Sequence, residues 1–225
     1  MAPLEGTRPP RPGAVICDLD GTLVDTVPTR IDAWLRTFAE FGIDAERDHV
    51  ASLIGSDGKW LAGQVAERTG RELAPDRAES IDQRAGEIYS ELNTDPRPLP
   101  GVPEFLAALG ETRLAWAIAT SSRPDQVRAS VTALGLDPWP TVVDGLAVEQ
   151  AKPEPDLLFA AAARLEVPPA TCWCVGDSRW DVLAASAAGM APIAVATGAS
   201  SATELGQFGA TTVVERLDQL IPYLA

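Results

Sequence analysis

The sequence predicts an α/β fold, a Rossmann-like doubly wound parallel sheet that carries an inserted all-helical cap domain. Two observations predict it. Short continuous apolar segments alternate with longer segments of helical periodicity, which is typical of a parallel sheet covered by helices on both faces. The alternation stops once, over residues 28–97, where only helical periodicity is found and prolines lie at either end.

The elements of the sheet follow one another in a regular order. Pro124 begins a helix that Gly135 ends, Pro155 begins a second helix, and Ser178 is placed to cap a third. Strands are predicted from the apolar segments between and around these helices, at residues 14–19, 114–120, 141–143, 172–175, 193–196 and 211–214.

The same pattern predicts how the chain divides into domains. Residues 1–12 are rich in proline, glycine and arginine and are interpreted as a disordered lead-in without the apolar segment of a signal peptide. Residues 13–27 and 98–225 form the predicted catalytic core. Residues 28–97 form the predicted cap, in which Ile31, Trp34, Leu35 and Phe38 fall on one face of a helix.

Composition restricts the partners that this chain is expected to bind. The 225 residues carry a net charge of −14, which repels nucleic acid and anionic membranes, so neither is predicted as a partner. Apolar segments are too short to cross a bilayer, and three cysteines, an odd number, argue against a disulfide framework. A cytoplasmic protein is therefore predicted. An anionic substrate would need positive charge supplied within the site itself.

Two carboxylates stand at the end of the first predicted strand. Asp18 and Asp20 follow the apolar residues 14–17, and the two-residue period of a strand points both side chains the same way. Neighbouring carboxylates repel, so the pair either holds a proton or attracts a cation. Gly21 allows a sharp turn after them. The alternative is that Asp20-Gly21-Thr22 is an ordinary turn.

Hydroxyl groups and one lysine follow the next strands. Thr120, Ser121 and Ser122 lie between a predicted strand and a helix, where hydroxyls and free N–H groups can bind phosphate. Lys152, fixed between prolines before a helix, could neutralise a phosphate oxygen. The alternatives are that Ser122 only caps the helix and that Lys152 is a solvated surface lysine.

A second carboxylate pair follows the fourth predicted strand. Asp177 stands at the strand end and Asp181 lies one helical turn later, although Asp181 could instead form a capping box with Ser178. Ligands of open α/β sheets bind at the carboxyl edge, to which both pairs belong. Four carboxylates gathered there need a counter-charge. A hard divalent cation, Mg²⁺ by availability, suits a site made of oxygen ligands.

Together these residues resemble the haloacid dehalogenase-like superfamily of phosphohydrolases. The resemblance spans nearly the whole chain, and the helical insert resembles the type-one cap of the phosphoglycolate phosphatase and β-phosphoglucomutase branch. The motifs that carry it occur in the family order, as Asp18-x-Asp20-Gly-Thr, Thr120, Lys152 and Gly176-Asp177-x-x-x-Asp181.

The resemblance implies a role for each matching residue. Asp18 would attack phosphorus and form an aspartyl-phosphate, and Asp20 would act as general acid and then general base. Asp18, Asp20 through its backbone carbonyl, Asp177 and Asp181 would hold Mg²⁺.

The phosphoryl group would be held by residues of two other motifs. Thr120 and Lys152 are the matching positions, and Ser121 is added because it lies beside Thr120 in the same predicted turn. The implied activity is a phosphatase acting on a small phosphorylated metabolite, as a monomer or a homodimer.

Two alternative functions remain open at this point. A β-phosphoglucomutase-like mutase would use the same core, but such enzymes usually carry His at the position of Arg30. A non-catalytic phosphate-binding member is the other alternative. Arg30 and Lys59 of the cap are candidates for contacting the leaving group, and both could equally be solvated. His49 is given no role.

Overall fold

The computed structural model describes residues 5–225 and contains the predicted parallel sheet. Six parallel strands begin and end within two residues of the predicted positions, and the α/β fold is confirmed. In chain order they are β2 (Ala14–Cys17), β3 (Ala115–Ala119), β4 (Thr141–Val143), β5 (Cys172–Gly176), β6 (Ala191–Val195) and β7 (Thr212–Val214), and a short strand β1 (Glu5–Gly6) precedes them.

The strand order brings the polar motifs together. Across the sheet the order is β1-β7-β6-β5-β2-β3-β4. Strands β3 and β4 therefore lie on one side of β2, and β5 lies on its other side. Cys17, the last residue of β2, pairs with Ile118 of β3 and Val175 of β5. The residues just beyond these three therefore meet at the carboxyl edge, at the point where the order reverses, which is the usual ligand site of such sheets.

Each face of the sheet buries a separate apolar cluster under its own helices. One face packs against α5 (Val102–Thr112) and α6 (Pro124–Ala133), and the other packs against α7 (Asp156–Arg164) and α8 (Arg179–Ala187). The helix α9 (Ala202–Gln207) lies against β6 and β7. The side chains of β2 alternate between the two clusters, because successive residues of a strand point to opposite faces.

Four helices fill the stretch between β2 and α5. They are α1 (Val27–Glu40), α2 (Arg47–Leu53), α3 (Gly58–Arg68) and α4 (Pro75–Leu92), and they enclose an apolar cluster of their own. Trp180 of α8 is a member of that cluster, 5.0 Å from the ring of Trp60 on α3, so core and cap share an apolar contact. The exact domain boundaries at residues 28 and 97 stay a prediction.

The predicted disordered lead-in is wrong where the structure describes it. Glu5 and Gly6 form β1 and pair antiparallel with Val213 and Thr212 at the edge of the sheet. Pro10 accepts a hydrogen bond from Trp173 Nε1 at 2.7 Å. A two-residue strand gives no periodicity to detect, and its pairing depends on distant β7. Residues 1–4 of the predicted lead-in lie outside the described residues.

The helices give no sign of a membrane span. Within residues 5–225, none of them combines the length and the apolar character that crossing a bilayer demands.

The core packing predicts that two phenylalanines contribute very differently to the free energy of unfolding. Phe105 on α5 is fully buried, whereas Phe159 on α7 is 43% exposed. Phe105→Ala should lower the free energy of unfolding by about 3–5 kcal/mol because it leaves a cavity, and Phe159→Ala should lower it by less than about 1 kcal/mol. Guanidinium denaturation followed by circular dichroism measures both. Equal losses would contradict the described packing.

Candidate active site

Lys152 lies at the centre of the carboxyl edge and is 1% exposed, so it is no solvated surface lysine. Its ammonium donates hydrogen bonds to Asp18 Oδ1 at 2.6 Å and to the carbonyl of Ala119, at the end of β3, at 2.9 Å. It also lies 2.7 Å from Asp181 Oδ1, an ion-pair contact whose angles fall outside those of a hydrogen bond. The lysine thus joins the ends of β2 and β3 to the start of α8.

Three of the predicted carboxylates form one buried cluster. Asp18, Asp177 and Asp181 each offer an oxygen within 4.8 Å of the others. Asp181 also completes the capping box, since its Oδ2 accepts hydrogen bonds from the backbone N–H and the hydroxyl of Ser178. The capping role and the cluster role therefore coexist in one side chain.

The cluster carries more negative charge than its surroundings neutralise. Three carboxylates face the one ammonium of Lys152. Burial raises the pKa of Asp18 to about 7 despite the opposing charge of Lys152, and burial together with the charge of Asp18 raises the pKa of Asp177 well above its usual value. Without further positive charge, such a cluster retains protons.

These residues fit a divalent cation. The donor set is all oxygen, and a double positive charge would balance the excess left after Lys152. Small residues keep the space around Asp177 open, because a methyl group added at Gly21 or Gly198 would overlap its carboxylate. Thr22 donates a hydrogen bond to Asp177 Oδ1 at 2.9 Å and fixes its orientation. Asp18, Asp177 and Asp181 are thus the side chains that could hold the ion.

The side chain of Asp20 lies apart from this cluster and is saturated by donors. Thr26 Oγ1 and Tyr89 Oη donate to Oδ1, at 2.6 and 2.9 Å, and Arg30 Nη2 and Ser122 Oγ donate to Oδ2, at 2.9 and 2.8 Å. Burial alone would raise the pKa of Asp20, but the charge of Arg30 and the hydrogen bonds from Thr26, Arg30 and Ser122 outweigh it, so the pKa is lowered. Only its backbone is left to serve as a metal ligand.

The hydroxyl turn after β3 lies at the same edge. Thr120 is buried and its Oγ1 accepts a hydrogen bond from the backbone N–H of Ser122 at 3.1 Å. Ser121 Oγ donates to the carbonyl of Gly55 in the cap at 3.2 Å. Ser122 does not cap α6, whose N-cap is Arg123, because its hydroxyl is bound to Asp20.

The cap closes over these groups and leaves a small cavity. The cavity has a volume of about 60 Å³ and is lined by Asp18, Asp20, Thr120 and Ser121 from the core and by Arg30 from the cap. Lys59, the other cap candidate, does not line it. That lysine is half-exposed and lies 3.7 Å from Glu79, while its neighbour Gly58 reaches the cavity.

Several residues of the site escape prediction from sequence. Arg30 Nη1 donates to Gln126 Oε1 at 2.6 Å, and its guanidinium lies 3.5 Å from the ring centre of Tyr89. Gln126, Tyr89 and Asp82 all approach the site from helices. A single polar residue on a helix is usually predicted to face solvent, so no local sequence pattern identifies these three as residues of the site.

Comparison with known proteins finds one family and relatives that act on phosphorylated compounds by name. The haloacid dehalogenase-like hydrolase family matches residues 15–195. A phosphoglycolate phosphatase of Rhodospirillum rubrum is 31% identical over 220 residues, which cover 95% of this chain and 91% of that protein. A β-phosphoglucomutase of Bacillus subtilis is 30% identical over 190 residues, covering 82% and 84%.

Two further matches differ in how much of the relative they cover. The crystal structure of a hydrolase from Pseudomonas syringae superposes with a TM-score of 0.89 at 31% identity, covering 94% of this chain and 97% of that one. The Arabidopsis thaliana protein SUPPRESSOR OF QUENCHING 1, chloroplastic, is 32% identical over 195 residues, and the match covers 84% of this chain but 18% of that protein.

The burial of Lys152 predicts that the chain's two lysines contribute very differently to the free energy of unfolding. Lys152→Met in EDTA should lower the free energy of unfolding by about 3–5 kcal/mol, because it leaves buried carboxylates without their partner. Lys59→Met, at an exposed pair, should change it by less than about 1 kcal/mol. Urea denaturation measures both. A Lys152→Met protein as stable as the wild type would contradict the described ion pairs.

Proposed function

Since the chain belongs to the haloacid dehalogenase-like hydrolase family, we propose that it is a Mg²⁺-dependent phosphatase of small phosphorylated metabolites. One observation carries this proposal. A buried lysine and three carboxylates meet at the point where the strand order reverses, beside a cavity that Asp18 and Asp20 line. This arrangement supplies a nucleophile, an acid/base group and positive charge for a phosphoryl group.

In the first step, a carboxylate oxygen of Asp18 attacks the phosphorus of the monoester. The bond between phosphorus and the leaving oxygen breaks, an aspartyl-phosphate forms, and the departing alkoxide takes a proton from Asp20. Because its donors keep Asp20 ionised in the free protein, Asp20 must take up that proton when the substrate binds. Asp18 is held for this attack by Lys152, which fixes Oδ1. Thr120 and Ser121, at the turn after β3, line the cavity and would bind phosphoryl oxygens.

In the second step, a water molecule attacks the phosphorus of the aspartyl-phosphate. Asp20 accepts the proton of this water, the bond to Asp18 breaks, and inorganic phosphate leaves with the Asp18 carboxylate restored. The hydrogen bonds and the charge of Arg30 that lower the pKa of Asp20 favour its ionised form, which suits this step.

We propose Mg²⁺ as the cation of the three-carboxylate cluster. Bound there, it would neutralise phosphoryl oxygens and the charge that develops during transfer. Asp18 and Asp177 would be direct ligands with the backbone carbonyl of Asp20. Asp181 would act as a ligand or orient the others, since it already binds Ser178.

The size of the cavity supports a small leaving group. The cavity of about 60 Å³ is bounded on the cap side by Arg30, Trp34 and Leu61, which restrict the room beside Asp20. A phosphoryl group with a short substituent would therefore need little rearrangement, whereas a sugar bisphosphate would need the cap to open.

A sugar-phosphate mutase is the second candidate, favoured by the similarity to the Bacillus subtilis β-phosphoglucomutase. Arg30 occupies the position where those mutases usually carry histidine, and it is engaged with Asp20. Incubation of a hexose 1-phosphate with a bisphosphosugar activator separates the two candidates. Isomerisation faster than release of inorganic phosphate would replace the phosphatase proposal with the mutase.

We also infer a reducing, cytoplasmic setting. Cys17, Cys172 and Cys174 are all free and buried, and burial raises the pKa of each thiol, which keeps it protonated and unreactive.

The first test is a panel of monoesters assayed with and without Mg²⁺: 2-phosphoglycolate, glycerol 3-phosphate, glucose 6-phosphate and 4-nitrophenyl phosphate. At least one should release phosphate only with the cation. Asp18→Asn should lower kcat by more than about 10³-fold, because the nucleophile is lost. Asp44→Asn, an exposed position of the cap, should leave kcat unchanged. Folded wild-type protein inactive on the whole panel would refute the proposal.

The second test concerns the cation site. Gly198→Ala should weaken Mg²⁺ binding by about 10–100-fold, because the added methyl group displaces the Asp177 carboxylate. Gly63→Ala on α3, where the methyl group meets nothing within 4 Å, is the matched control and should bind Mg²⁺ as the wild type does. Calorimetric titration measures both. Unchanged binding in Gly198→Ala would place the cation elsewhere.

A further inference from the structure

The four donors to Asp20 are divided between its two oxygens. Oδ2 is bound by Arg30 and Ser122, both of which line the cavity. Oδ1 is bound by Thr26 and Tyr89, neither of which lines it. Oδ2 is therefore bound on the cavity side of the carboxylate, and Oδ1 is bound on the side away from the cavity.

Tyr89 is built into the protein as a fixed donor. Its side chain is 1% exposed, and its ring lies under the guanidinium of Arg30, 3.5 Å from the ring centre. Asn93 Nδ2 donates to the phenolic oxygen at 2.9 Å and to Ser130 Oγ at 3.1 Å. Because the phenolic oxygen accepts from Asn93, its own proton is directed toward Asp20 Oδ1, 2.9 Å away.

We propose that Tyr89 is a positioning residue for Asp20: its hydroxyl, oriented by Asn93, holds Oδ1 so that Oδ2 faces the leaving oxygen of a phosphomonoester. This inference rests on the proposed phosphatase function. The working oxygen is then Oδ2, which becomes available when the leaving group displaces Arg30 or Ser122. Thr26 and Tyr89 keep the carboxylate oriented throughout.

The position of Tyr89 in the fold gives this role a second aspect. Tyr89 lies on α4 of the cap, whereas Asp20 belongs to the core. Its hydroxyl reaches Asp20 only while α4 lies against the core, as it does here through contacts with α6. The hydrogen bond that orients Asp20 is therefore formed across the contact between cap and core.

The experiment compares two leaving groups in the holoenzyme with Mg²⁺. An alkoxide must be protonated as it departs, whereas 4-nitrophenolate leaves without a proton. The value of kcat/KM reports the steps up to the formation of the aspartyl-phosphate. Tyr89→Phe should lower kcat/KM about tenfold or more for the alkyl phosphate that the wild type hydrolyses fastest, and by less than about threefold for 4-nitrophenyl phosphate.

The substitution and its control are chosen to preserve the fold. Phenylalanine keeps the ring beneath Arg30, and Asn93 retains its bond to Ser130. Tyr223→Phe alters the chain's other tyrosine, which also lies beneath an arginine, Arg8, far along the chain from the site, and should leave both rates unchanged.

Each of the other outcomes overturns either the positioning role of Tyr89 or the phosphatase function. An equal fall for both substrates would show a general structural effect and overturn the positioning role, and so would an unchanged kcat/KM for both. A wild type that hydrolyses neither substrate is a different result, because it refutes the phosphatase function itself.

Discussion

A charge imbalance at the carboxyl edge of the sheet governs the rest of this site. Lys152 supplies one positive charge to three buried carboxylates, and the register of β2, β3 and β5 brings these groups together. Burying unbalanced charge is costly, so the fold must either protonate the cluster or provide a place for a cation. The glycines beside Asp177 leave room for its carboxylate, since a methyl group at Gly21 or Gly198 would overlap it.

Polar contacts between cap and core converge on the same edge from two directions. Arg30 of the cap reaches Asp20, and Arg123 of the core reaches Asp82 of α4 at 2.7 Å and also Glu79. The guanidinium of Arg30 binds several acceptors at once, which a single ammonium could not do in the same geometry. The contacts of Arg30 and Arg123 thereby order the Asp20 carboxylate as well as the small cavity.

The sequence predicts the sheet and the core motifs because their signals are local. Asp18 and Asp177 follow apolar strands directly, so the strand register alone brings them together. The contacts of Tyr89 and Gln126 depend on how the cap helices α1 and α4 lie against the core, and no local sequence pattern encodes that arrangement. For the same reason β1 escapes prediction: its pairing partner lies some two hundred residues away.

Trp180 joins core and cap by an apolar contact rather than a polar one. It belongs to α8, immediately after the Asp177 motif, yet its ring is buried in the apolar cluster of the cap against Trp60. Separating the cap from the core would expose this indole to water, and the loss of hydrophobic contact opposes that separation. The strength of this apolar contact varies with temperature and cosolvent, whereas the ion pairs between cap and core respond to salt.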